Sequence, residues 1–345
     1  MSVFTRFDFE NDVVENQRTK ISSGIFSGGS GTLQTFFSSS TQGVASASYV
    51  DVYHQDPNVT STSGTSEIQF AIGYANINGS GSAGNVTKLN AGGRQTAAMY
   101  RQFRNIILPP LTEKFTFTGA SSGSDDFYFI SFQRARMREK IDPGNWEIHL
   151  SGSGAGSPIK LIDDSGATDV ATVNEGGRVF NVISGSIESG TAVTYKTAAQ
   201  QEGGSWGTFY PDLGVILLHP SIMEASGTLV TTGRSADTFD NNPSKFFNSL
   251  GSGSKFQVRR EEEISSTNYF CRVNNKKYNF SANPTFSTAS DGSFTQKTFF
   301  NDPKTFITQV GLYNDDNELL AVAKLSKPLL NSYSREAIIK VKLDF

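Results

Sequence analysis

A chain of 345 residues with 33 glycines and only 18% charged side chains suits many strands joined by turns better than a helical bundle, and is long enough to bury a sizeable core. A net charge of −3 gives no electrostatic basis for wrapping duplex nucleic acid, and a single cysteine, Cys271, excludes an intrachain disulfide framework. No apolar run approaches the roughly 20 residues of a membrane-spanning helix, and Met1–Arg6 lacks the apolar segment of a secretion signal, so a soluble protein made in a reducing cytoplasm without export is expected.

Taken in order, the first residues place Phe4, Phe7 and Phe9 among charges and then pass into Ser22–Ser40, rich in serine, glycine and threonine. Residues 1–45 read either as a flexible leader or as an arm that orders on a neighbouring subunit through Phe26, Phe36 and Phe37. A β-rich region, 46–125, follows. Ala45–Tyr53 and Glu67–Tyr74 have strand character, whereas Gly79–Gly84 matches only the letters of a dinucleotide loop. Asn85-Val86-Thr87 does not open the helix that such a loop needs, so no cofactor is assigned. In Arg94–Ile107, Tyr100, Phe103 and Ile107 recur at helical spacing and Pro109-Pro110 stops the helix, leaving Arg94, Arg101 and Arg104 on a solvated face.

The central domain, 126–254, opens with the apolar strand Phe127–Phe132. It runs into Gln133–Lys140, where Arg134, Arg136, Arg138 and Lys140 recur at every second position. Kept extended, that stretch lines up four cations suited to contact with another protein, for example a neighbour's Glu261-Glu262-Glu263 run, in preference to nucleic acid. Asp142-Pro143-Gly144-Asn145 reads as a turn, and Trp146–Leu150, Pro158–Ile162, Arg178–Ser184 and Leu213–Leu218 as strands, the last buried on both sides. Pro243–Leu250 reads as a short helix, with Gly152-Ser153-Gly154 and Gly251-Ser252-Gly253 as linkers.

In the C-terminal domain, 255–345, Lys255–Ile264, Asn268–Val273 and Lys276–Phe280 read as strands, the last two joined by a hairpin turn at Asn274-Asn275. Thr305–Tyr313 and Glu318–Leu325 are joined by Asn314-Asp315-Asp316-Asn317, and Lys327-Pro328 is expected to end the second. Ala337, Ile339, Val341, Leu343 and Phe345 alternate with Lys340, Lys342 and Asp344, which makes the third strand of a meander. The expected class is therefore mainly β with a few short helices (β-rich α+β), with antiparallel sheets in sandwich-like domains and a C-terminal β-meander.

Candidate chemistry is sparse. His54, His149 and His219 are scattered without a second ligand at metal spacing, and Asp163-Asp164 and Asp315-Asp316 lack the spaced carboxylates of a calcium loop. His149 shares a strand face with Glu147, which reads as an ordinary polar contact, and Cys271 lies in an apolar run as a buried thiol. No catalytic, cofactor-binding or metal-binding residues are assigned, and no enzymatic activity is expected.

Ile307–Asn314 followed by Glu318–Leu325 resembles a hairpin of tail and baseplate proteins of large contractile-tailed bacteriophages, including those of marine cyanobacteria. Asp142–Trp146, Tyr210–Gly214 and Asn279–Phe286 resemble the same proteins more loosely, so the likeness spans roughly residues 95–345. It implies a structural subunit of the virion, working in the tail or baseplate and made in the host cytoplasm. Its expected partners are other virion structural proteins and further copies of itself in a symmetric oligomer, with neither membrane nor nucleic acid. Arg134, Arg136, Arg138, Trp146, Tyr210 and Phe345 are the interface candidates. The alternative is a host-glycan-binding adhesin or fibre-attachment module, which would expose clustered aromatics on loops.

Overall fold

The structure, a computed structural model, describes residues 4–42, 48–82, 94–152, 158–166, 172–187, 205–226, 241–253, 255–281, 283–288 and 291–344. The interface candidate Phe345, Ser153-Gly154, residues 83–87 and the start of the strand expected from Ala45 fall outside them. Strand accounts for 44% and helix for 17%, so the β-rich class expected from composition is the one found.

In chain order the elements are α1 (Phe9–Asp12), β1 (Val13–Gly24), β2 (Thr32–Leu33), β3 (Tyr49–Tyr53), β4 (Ile68–Asn76), α2 (Gln95–Ile107) and β5 (Asp126–Phe132). There follow α3 (Arg134–Met137), β6 (Lys140–Leu150), β7 (Ile159–Asp163), β8 (Thr172–Asn174), β9 (Gly177–Ser184), β10 (Gly207–Tyr210), β11 (Val215–Leu218) and α4 (Pro220–Ala225). The last are α5 (Asn242–Gly253), β12 (Phe256–Val273), β13 (Thr305–Tyr313), β14 (Leu319–Asn331) and β15 (Ala337–Asp344). They form two compact units, Ile21–Glu262 and a discontinuous one made of Met1–Lys20 with Glu263–Phe345. Boundaries at residues 45 and 125 are therefore not found: the leader's serine-rich part, the first β region and the central region share one unit.

In the Ile21–Glu262 unit the strands run in the order β12-β6-β7-β9-β10-β11-β5-β4-β3, each neighbouring pair antiparallel. The two ends of that order meet in one core: Phe256 of β12 packs edge-on against Phe70 of β4 at 4.9 Å, so the sheet curls around its own interior. The apolar run of β5 now has a cause. Tyr128, Ile130 and Phe132 face this interior, while Phe127 and Phe129 face a second cluster covered by Tyr100 and Ile107 of α2. A strand covered on both faces loses the polar half of its alternation. β11 divides in the same way, Ile216 and Leu218 inward, Val215 and Leu217 outward.

Several local expectations change. Asp142–Asn145 does not reverse the chain. It sits inside β6, where Trp146 pairs with Val258 and Ile141 with Arg260, so five steps on β6 oppose two on β12. The turn letters build a bulge: Gly144 takes φ 79°, and its N–H donates to both carboxylate oxygens of Asp163 at 3.0 and 2.8 Å. Burial pushes the Asp163 carboxyl above its ordinary range even though Ser165 and Gly144 hydrogen-bond to it. Gly251-Ser252-Gly253 is the end of α5, not a linker, and a side chain at Gly253 would overlap the His149 carbonyl. The leader is ordered on its own chain: Ile25, Phe26 and Leu33 are buried, Phe36 packs against the same core, and β2 pairs with β12.

The second unit is built on the later part of β12, Ser266–Val273, paired antiparallel with β15, and on a two-stranded antiparallel sheet of β13 and β14. Val273, Leu312, Ile339 and Val341 form its buried centre, with Phe7, Ile307, Val310, Ala321, Ala323 and Leu325 packed around them. The meander expected here is thus not closed, since the third strand pairs with β12 instead of β14. Lys327-Pro328 does not end β14 either. Ile307 pairs with Leu329 and Gln309 with Lys324, so Pro328 lies in a bulge where its missing N–H costs no ladder bond. Phe256–Val273 is one strand, not two, and Asn274-Asn275 starts a turn without a returning strand at 276–280.

Candidate assembly surface

The four cations of 134–140 are not aligned on one face. Gln133 to Met137 coils into α3, and Arg138 takes φ 60°, which breaks the run before β6. Each cation has a partner within the chain: Arg134 Nη1 donates to the Asp212 carbonyl at 2.9 Å, and Arg136 reaches the Ile68 carbonyl and the Glu67 carboxylate, both at 2.7 Å. Arg138 meets Glu262 at 2.9 Å and Lys140 meets Glu261 at 3.1 Å. The acidic run proposed as a complement is this chain's own, and it ties β12 to the start of β6.

Trp146 and Tyr210 are core residues, 0% and 3% exposed, with Trp146 packed on Phe209 at 5.3 Å. A ring buried inside its own unit has no area to offer a neighbour. Of the six interface candidates, then, two are interior, three arginines are engaged locally, and Phe345 is outside the described residues.

Glu147 and His149 do come together. Glu147 is fully buried; its Oε1 lies 2.5 Å from His149 Nε2, and its Oε2 accepts from the Ile187 N–H at 2.8 Å and the Ser186 hydroxyl at 3.1 Å. Burial pushes its carboxyl upward, but His149, Ile187 and Ser186 outweigh that and hold it below the ordinary carboxylate range. With both oxygens occupied, this carboxylate fastens β6 to residues 186–187. Among the described residues no group of three or more His, Cys, Asp or Glu side chains converges as a metal cluster. Cys271 is half-buried, with its thiol pushed up by burial and by Asp12.

The exposed apolar surface lies elsewhere. Among the described residues thirteen of nineteen exposed large apolar side chains belong to the Met1–Lys20 and Glu263–Phe345 unit, the smaller of the two. They concentrate on the β13–β14 sheet. Because one face packs Ile307, Val310, Leu312, Ala321, Ala323 and Leu325 inward, alternation sends Val322 (56% exposed) and Lys324 outward, and a bulge at Leu320, where Tyr313 pairs with Leu319, leaves Leu319 and Leu320 (67%) exposed beside them. Phe306 lies exposed farther along β13. Gly311 stands opposite Val322, and the nearest atoms to a Cβ built there belong to the Tyr313 ring and the Leu319 side chain, so these two side chains lie over the glycine. Phe4 meets Tyr313 edge-on at 4.8 Å. Among the described residues β14 pairs on one side only, with β13, so its other edge presents unpaired backbone. No family model matches this sequence, and no curated protein and no solved structure matches it either.

A second exposed feature lies in residues 280–300, whose described residues form no strand. Phe286 stacks edge-on against Phe280, Phe294 and Phe299 at 5.1, 5.1 and 4.7 Å, and Phe294 against Phe300 at 5.0 Å. Phe280 and Phe300 are about 70% exposed. The turn beneath is held by Asp291, whose carboxyl drops to about 2 through bonds from the Thr288 hydroxyl and from Ser293. The residues that carry these surfaces are not among the interface candidates read from the sequence: alternation marks Leu320 and Val322 as strand residues but does not say that apolar side chains occupy the uncovered face.

Proposed function

We propose that this chain is a structural subunit of a tailed-phage virion, working in the tail or baseplate by docking other subunits. The observation that carries the reading is a coincidence of place. The β13–β14 hairpin, whose residues resemble tail and baseplate proteins, is also where an apolar face and an unpaired strand edge are exposed together. Large apolar patches on a folded chain mark contact surfaces, and a free edge adds backbone hydrogen bonds to that contact. The partners are other virion proteins and further copies of the chain. Mass spectrometry of purified particles, followed by fitting the fold into a cryo-EM map of the intact tail, tests the reading. The chain is expected in stoichiometric amounts with this hairpin against a neighbour, and its absence from particles ends the proposal.

The phenylalanine cluster of 280–300 favours a second reading, an adhesin or fibre-attachment module, because exposed rings on loops are the natural platform for sugar faces. Binding of the purified chain to host cells, abolished by Phe280→Ala with Phe300→Ala, supports that reading; no cell binding alongside capture of tail proteins supports the first.

A further inference from the structure

Two clefts of the Ile21–Glu262 unit meet at a hydrogen bond. One, of about 570 Å³, is bordered by Tyr53, Ser66, Glu67, Gln133 and Arg136; the other, of about 470 Å³, by Ser27, Thr32, Gln34 and His54. Both volumes fall in the range of small-molecule sites. Between them the Ser27 hydroxyl donates to Glu67 Oε2 at 2.8 Å.

Behind that bond lies a polar network built on Gln69, which is 0% exposed. Its Oε1 accepts the Ser27 N–H at 3.0 Å, and this fixes which end of the amide meets the remaining partners. Nε2 donates to the Glu67 carbonyl at 2.7 Å and faces His54 Nδ1 at 3.2 Å. A donor against Nδ1 requires that nitrogen to be unprotonated, so the half-buried ring carries its proton on Nε2, the nitrogen turned away from Gln69. On the other side Glu67 Oε2 takes both the Ser27 hydroxyl and Arg136, leaving Oε1 to accept. These bonds hold the Glu67 carboxyl below its ordinary range, so it stays ionised. Burying a whole amide is costly unless its bonds are made. Here they set the orientation of groups on both cleft rims, as the supporting residues of a binding site do.

We infer that the paired clefts bind an uncharged saccharide, with His54 Nε2–H as donor and Glu67 Oε1 as acceptor to its hydroxyls and the Tyr53 ring against its C–H face. The site goes beyond the assembly reading and rests neither on it nor on the phenylalanine cluster. The lining chooses the ligand class. Beside the neutral His54, Glu67 and Arg136 are the only charged side chains among the described residues bordering either cleft. They neutralise each other at 2.7 Å, so no charge is left over for an anion or a cation. An extended peptide would need an open strand edge. That of β3 is taken: Phe37 exchanges backbone bonds with Tyr53 at 3.2 and 2.8 Å, and Gln42 Oε1 accepts the Asp51 N–H at 2.9 Å. What remains, separate donors and acceptors beside an aromatic ring, suits vicinal hydroxyls and an apolar sugar face.

The full chain can be probed with a panel of neutral di- and trisaccharides, alongside sialylated and sulfated ones and extended peptides. Proton NMR reads the site directly, because the chain has only three histidines, His54, His149 and His219. A neutral saccharide is expected to shift the ring signal that disappears in His54→Gln and to leave the other two in place. His54→Ala and Glu67→Ala should each weaken binding roughly tenfold, as loss of one hydrogen bond to the ligand does. His54→Gln, which keeps an N–H near the position of Nε2, should retain most of the affinity. Tryptophan fluorescence in urea checks that each variant folds. Phe280→Ala with Phe300→Ala should bind unchanged, which separates this site from the phenylalanine cluster. The inference is overturned if no neutral saccharide binds at millimolar concentration, if acidic saccharides or peptides are preferred, or if binding leaves the His54 signal unmoved. Presence or absence of the chain in particles bears on the virion reading alone.

Discussion

Replacing Phe26 by alanine separates a leader that is part of the fold from one that awaits a partner. The ring is 3% exposed and sits 6.3 Å from Phe70 and 6.1 Å from Phe256, at the place where the two ends of the curled sheet meet. Truncating a buried phenylalanine costs about 3–5 kcal/mol, and the lower end applies because the segment after β1 is irregular and can settle into part of the gap. About 3 kcal/mol is roughly a hundredfold in the folding equilibrium and, for a unit of this size, roughly 6–12 °C in Tm. The chain supplies its own probe: its two tryptophans, Trp146 and Trp206, both lie in Ile21–Glu262, so fluorescence in urea follows that unit by itself. A loss below about 0.5 kcal/mol with an unchanged urea slope would refute the anchoring, since only a residue detached from the core is that tolerant.

Three further outcomes can be read by the same assay. Gly253→Ala should cost about 2–3 kcal/mol, because the new methyl overlaps the His149 carbonyl and α5 must shift away from β6; a neutral result would mean the two are not in contact. Lys140→Ala should cost about 1–3 kcal/mol by removing a largely buried cation from the nearly buried Glu261, whereas Arg138→Ala, at a 57% exposed side chain, should cost less than about 1 kcal/mol; a larger loss at Arg138 would contradict the burial difference. Glu147→Gln should cost about 1–3 kcal/mol at neutral pH. Because the folded carboxyl titrates below its ordinary value of 4.5, its contribution is present above that pH and is lost as pH falls through the folded value. The stability gap between wild type and variant should therefore close in acid; a gap that widens in acid would reverse the sign.

What could be read without coordinates was local. Phe127–Phe132, Leu213–Leu218 and the helix ending at Ile107 announced themselves because burial on two faces, or on a helical stripe, leaves a pattern in consecutive residues. Partnership leaves none: nothing in Ala337–Leu343 says that it pairs with Ser266–Val273 and not with the strand before it. Turn letters misled for a related reason. Gly144 and Pro328 take the conformations that their chemistry favours, but inside long strands, where the surplus residues are absorbed as bulges. The cations of 134–140 look like a surface stripe until Glu67, Glu261 and Glu262, distant in sequence, arrive to meet them. The outward apolar face of β14 was invisible for the opposite reason, since its residues have no partner in the chain to reveal them.

The chain enters Ile21–Glu262 from one part of the other unit and returns from it to the remainder. On the ribosome this imposes a timetable. The larger unit is translated whole before Glu263 onward, so it can begin to fold while the first twenty residues are still waiting for their complement. The β13–β14 edge is translated late, on a chain whose tryptophan-bearing half can already be in place. A sticky surface made after the larger unit has less time than that unit to meet the wrong nascent neighbour.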